Sequence, residues 1–87
     1  MTPDELLLRY PRETLRWLRG RLVLGQEALS ERLGVMPQTV GEWERGRYSI
    51  SPANRVRLAA LLAPHLATPE GEAFARSLAG GDTPAEV

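Results

Sequence analysis

The side chains able to do chemistry are of few kinds: eleven arginines, eleven carboxylates, the single histidine His65 and no cysteine in 87 residues. Without thiols there is neither a disulfide scaffold nor a thiolate metal site, and one histidine makes no imidazole cluster. The acids show no pairing with a nucleophile, no metal-ligand set and no phosphate-cradling loop, so no enzyme, metal or cofactor is expected. What remains is ion pairing and directional hydrogen bonding. A promising place for it is VMPQTVGEW, residues 35–43. Gln38 and Glu42 lie four positions apart and so share a face if this stretch is helical. An amide offers donors and an acceptor together, whereas a carboxylate only accepts. Pro37 and Gly41, also four apart, add no hydrogen-bonding side chain.

Such a face needs elements to hold it, and the chain reads as helical throughout. No strand-like alternation of β-branched residues appears, and apolar residues recur at helical spacing. Thr2, Pro3 and Glu5 form a start signal: a capping hydroxyl, a proline at the first helical position, and a glutamate three residues after the cap. That helix continues to Arg9 and is interrupted by Pro11. Residues 12–22 carry a Leu15, Leu18, Leu22 stripe, and Val23 to Gly25 connect onward. Gln26 to Leu33 form a third helix, ended by Gly34 in a left-handed or tight turn. Pro37 to Arg45 form a fourth, stopped by Gly46. Pro52 opens a fifth, with Val56, Leu58, Leu61 and Leu62 as its apolar positions and an end near Pro64. Thr68, Pro69 and Glu70 start a sixth despite Gly71, carrying Phe74 and Leu78. The expected fold is all-α: a small bundle of five to six helices, one domain over residues 1–79, and a frayed tail over 80–87. Trp17 and Tyr10 read as packing residues, and His65 as a surface or capping residue. Leu6, Leu7, Leu8, Phe74 and Leu78 exceed a minimal core; they either cover the bundle or form a two-fold dimer seam.

Charge is unevenly spread although the net is zero. Residues 9–57 hold ten arginines against five acids, whereas residues 1–8 hold two acids and residues 58–87 one arginine against four acids. A basic middle flanked by acidic ends fits an anionic partner, or simply a solvated arginine-rich surface. No apolar run reaches membrane-spanning length, and the N-terminal residues carry acids where a secretory signal carries cations, so no membrane association and a cytoplasmic location are expected.

Residues 26–46, QEALSERLGVMPQTVGEWERG, meet the demands of two helices crossing steeply through a tight turn. Leu29 supplies the crossing face, and Ser30 is small enough for close approach. Gly34 reverses the chain and Val35 plugs the space between the helices. Val40 and Trp43, three apart, supply the inward pair of the second helix. On Arg19, Gln26, Leu29, Leu33-Gly34-Val35, Thr39-Val40, Trp43-Glu44-Arg45-Gly46 and Leu58-Ala59, the chain resembles the phage repressor/Cro-type helix-turn-helix family. The resemblance covers roughly residues 14–63.

The resemblance implies that residues 37–45 are a recognition helix laid in the major groove of double-stranded DNA. It implies that Met36, Pro37, Gln38, Gly41 and Glu42 stand where base edges are met, Gln38 reading with Thr39 and Glu42 assisting, and that Gln26, Arg45 and Arg47 contact phosphates, with Arg55 an additional candidate. Glutamine suits adenine, glutamate can accept from the cytosine amino group, and Met36 could meet a thymine methyl. Arg19 and Glu44 match a pair that forms an internal salt bridge in the family. The function implied is a transcriptional regulator, a repressor or autoregulator acting as a homodimer on half-sites one DNA turn apart. The alternative is a protein-interaction module, antitoxin-like or a co-regulator, whose motive is the acid and the missing donors on the outward face.

Overall fold

The Thr2 hydroxyl starts the fold by accepting from the Glu5 N–H at 3.1 Å, while the Glu5 carboxylate accepts from the Thr2 N–H at 2.9 Å. This reciprocal cap, with Pro3 behind it, sets helix α1, Pro3–Arg9. The computed structural model describes residues 1–80. In it α1 is followed by α2 (Pro11–Leu22), α3 (Gln26–Leu33), α4 (Thr39–Glu44), α5 (Pro52–Leu66) and α6 (Pro69–Gly80), with no strand among the described residues. The chain is all-α, as its periodicity predicts.

Pro11 does more than interrupt α1. It is the first residue of α2, where a missing N–H costs nothing. Tyr10 serves both helices: its N–H closes α1 on the Leu6 carbonyl at 2.8 Å, and its carbonyl accepts from the Thr14 N–H at 3.0 Å. The buried Thr14 hydroxyl also donates to the Leu6 carbonyl. These bonds fold α1 back so that Leu6 and Leu7 are buried and α1 packs along α5.

One core joins Leu7 of α1, Leu15 and Leu18 of α2, Leu29 and Leu33 of α3, Val40 and Trp43 of α4, Ile50, and Leu58 and Leu62 of α5. Val56 is not part of it and is 69% exposed, contrary to the apolar stripe read for α5. Two residues at about 100° each place it on the side of the helix opposite Leu58. Nor does α5 stop near Pro64. It runs on to Leu66, because Leu66 packs against the core and the Ala67 N–H still reaches the Ala63 carbonyl at 3.2 Å.

α6 returns along the bundle. The ring of Phe74 stacks on that of Trp17 in α2, with centroids 4.7 Å apart and planes 7° from parallel, and the Arg21 guanidinium lies over Trp17. Gly71, which reads as a liability in a helix, is required: a Cβ there would sit 2.1 Å from the His65 carbonyl oxygen. Of the surplus apolar residues, Leu6, Leu7 and Phe74 therefore cover the bundle, Leu78 is half-buried, and Leu8 is 60% exposed. Gly80, expected to begin a tail, is the last residue of α6, and the rest of that tail lies outside the described residues. No helix among the described residues is long and apolar enough to cross a membrane.

Three helices end in the same wrap-around turn, with an N–H reaching back five residues. The bonds run from Leu24 to Arg19, from Val35 to Ser30 and from Arg47 to Glu42, at 2.9–3.0 Å. The turn needs a left-handed residue. Gly34 and Gly46 supply it in two cases, at φ 74°, but Val23 supplies it in the first, at φ 56° and 87% exposed. A β-branched residue in that region is strained, and this one gains no burial in return. Val23→Gly should therefore raise stability by about 1 kcal/mol, the left-handed penalty less the entropy of glycine. An unchanged or lower urea midpoint would refute the strain at this turn.

Candidate nucleic-acid interface

α4 has only six residues, too few to be stable alone, so other elements must hold it. Val40 and Trp43 anchor its inner side in the core. Its start lacks a cap of its own, because Met36 stands where a capping hydroxyl is usual and Gln38 makes no side-chain cap. The cap comes from α3 instead: the buried Ser30 Oγ accepts from the Val40 N–H at 3.0 Å. Ser30 thus does more than allow close approach. Its second role was hidden because a cap is ordinarily sought at the helix's own first residue.

The helix is shorter than the 37–45 span read from sequence. Pro37 and Gln38 form a turn closed by the Thr39 N–H on the Met36 carbonyl, and the first regular α4 bond runs from the Glu42 N–H to the Gln38 carbonyl. Gln38 and Arg45 keep helical backbone angles as the flanking residues, so the ends differ by the usual one or two positions.

Beneath α4 lies a buried carboxylate. Glu44 has a side chain only 2% exposed, and it receives Arg19 Nε at 2.7 Å and Arg19 Nη2 at 3.0 Å in a two-pronged pair. Gln26 Nε2 donates to Glu44 Oε1 at 3.0 Å, and Arg16 approaches the same oxygen at 3.6 Å. Arg16 was missed in the sequence, although it lies three residues before Arg19 and therefore on the same face. Burial pushes the Glu44 carboxyl up, but the hydrogen bonds from Arg19 and Gln26 and the charges of Arg19 and Arg16 outweigh it and hold the pKa below the usual carboxylate value. The Arg19 pKa is raised by its bond to Glu44.

On the other side of α4, Met36 is 63% exposed, Pro37 and Gln38 are exposed, and Thr39 and Glu42 are half-buried. Among the described residues, the side chains of Gln38, Thr39, Glu42, Arg45 and Arg47 form no internal hydrogen bond or ion pair. Arg45 and Gln26 come together beside Gly41, where Gln26 Oε1 and Arg45 Nη1 lie 2.8 and 3.4 Å from the position of a Cβ. Arg55 is placed differently. Its guanidinium donates to Asp4 Oδ1 at 3.0 Å and to the Ile50 carbonyl at 3.2 Å, so α1 and the loop after α4 already hold it. Arg57 donates to the Leu33 carbonyl and closes the end of α3.

Two short helices crossing through a glycine turn, with the second anchored from below and open above, define a helix-turn-helix unit. The family model described as a helix-turn-helix domain matches residues 12–73, well over half of the chain, and the chain belongs to that DNA-binding family, of the phage repressor/Cro type. The match takes in the start of α6, beyond the 14–63 span read from sequence, and leaves α1 outside. No curated protein and no solved structure matches the chain at a significant level.

The Glu44 site has a testable pH signature. A carboxyl with a lowered folded pKa contributes stability that is present above its unfolded pKa and lost as pH falls through the folded value. The stability gap between the wild type and Glu44→Gln, measured by urea unfolding, should be full at pH 7 and shrink below about pH 4.3, the ordinary glutamate value. A gap constant down to pH 3 would refute it. Arg19→Met, which leaves the buried carboxylate without its main partner, should cost about 3–5 kcal/mol at neutral pH.

Proposed function

We propose that this DNA-binding regulator is sequence-specific and acts in the cytoplasm as a transcriptional repressor or autoregulator, with residues 37–45 lying in the major groove. The observation that carries this reading is the division of α4 into two sides. Val40, Trp43 and Glu44 are committed to the bundle, whereas the side chains of Gln38, Thr39 and Glu42 carry hydrogen-bonding groups with no internal partner among the described residues. Gln38 is the principal reader, suited to adenine by its paired donor and acceptor. Thr39 and the exposed Met36 assist, the latter against a thymine methyl, and Glu42 selects a cytosine amino group. Gln26, Arg45 and Arg47 hold phosphates, Gln26 at the first turn of α3, where free N–H groups also point outward. Arg55 joins them only by giving up Asp4. A homodimer would present two such helices to half-sites about one DNA turn apart.

The acid on this face supports a second reading, a protein-interaction module, because Glu42 repels phosphates unless a cytosine receives it. Selection from random duplex DNA at moderate salt separates the two. Enrichment of a discrete, two-fold symmetric site is expected. In that site Gln38→Ala should relax the preference at one base position by about 1–3 kcal/mol. Selection that enriches nothing, or a preference untouched by Gln38→Ala, would favour the protein partner.

A further inference from the structure

Gly41 is buried in the middle of α4, where glycine is a poor helix former. Its surroundings give a reason for it. A Cβ at this position would lie 2.8 Å from Gln26 Oε1, 3.3 Å from Gln26 Cδ and 3.4 Å from Arg45 Nη1. Gln26 therefore crosses α4 over the very space that any other residue would fill. Its orientation is determined as well. A carboxylate only accepts, so the amide nitrogen must face Glu44, and the carbonyl oxygen is left above Gly41. Nε2 carries two hydrogens, and the bond to Glu44 uses one.

We propose that Gly41 is a positioning residue for DNA: by lacking a Cβ it allows Gln26 to be locked onto Glu44, which fixes the phosphate-binding amide of α3 before DNA arrives. This rests on the reading of α4 as the recognition helix and Gln26 as a phosphate contact. The atoms nearest the missing Cβ belong to the free end of a flexible side chain, so alanine displaces the Gln26 amide and leaves the backbone in place. The displaced amide must then be ordered during binding, a penalty of roughly threefold to tenfold in affinity for one such side chain.

The test is a double-mutant cycle of Gly41→Ala and Gln26→Ala, read on a 20-base-pair duplex of arbitrary sequence across a salt series and, separately, by urea unfolding. Gly41→Ala is expected to weaken binding about threefold to tenfold when Gln26 is present and not at all in the Gln26→Ala background. The salt dependence should stay unchanged, because glutamine is neutral and releases no counterion. A drop in the log–log slope of about 0.9 would assign the effect to Arg45 and overturn the proposal. So would an equal loss in both backgrounds, or no loss in either. Without DNA, Gly41→Ala should raise the urea midpoint more in the Gln26→Ala background than in the wild type, because only there is the space empty. Equal increments would overturn the clearance. A wild type that binds no duplex at any salt would overturn the DNA reading and the positioning role with it, while the unfolding cycle would still report whether Gln26 and Gly41 share that space.

Discussion

The pairing of Glu44 with Arg19 is the interaction on which the outward side of α4 depends. A carboxylate with 2% of its side chain exposed cannot be left unpaired, and its partner sits on a different helix, 25 residues earlier in the chain. α4 is thereby tied to α2 at its last turn. The free lone pairs of the same carboxylate then take Gln26 from α3, so three helices meet at one charged group. An apolar contact could hold α4 equally strongly. It would not determine rotation about the helix axis as closely, because dispersion contacts are not directional whereas a two-pronged guanidinium–carboxylate pair is.

That rotation decides which residues face outward. With Glu44, Val40 and Trp43 turned in, Gln38 and Glu42 are turned away from the core, and the Ser30 hydroxyl holds the start of the helix in the same orientation. A six-residue helix has almost no stability of its own. Each of its constraints therefore comes from another element, which is a reasonable arrangement for a surface that must be pre-formed before it meets a partner.

The elements outside the crossing pair add support at a distance. α1 lies outside the family match, yet buries Leu6 and Leu7 and reaches Arg55 through Asp4. α6 packs on α5 and reaches α2 through the stacked rings of Trp17 and Phe74. Together they enlarge a core that 87 residues would otherwise keep small.

Most of the scaffold was legible in the chain itself. The helix starts at Thr2, Pro52 and Pro69, the glycine stops at 34 and 46, and the inward set Leu29, Val40 and Trp43 all follow from neighbours within four residues, which is the range of a cap or a helical turn. The chain likewise determined its all-α class and its family. Only the tertiary structure decided that Ser30 caps Val40, that Arg55 is taken up by Asp4 across 51 residues, that Val56 faces solvent, and that Gln26 passes over Gly41. These depend on where atoms distant in sequence come to rest once the core is packed, and no local period records that. Gly41 is the sharpest case: in the chain it is a missing side chain on an outward face, and in the fold it is the room another side chain occupies.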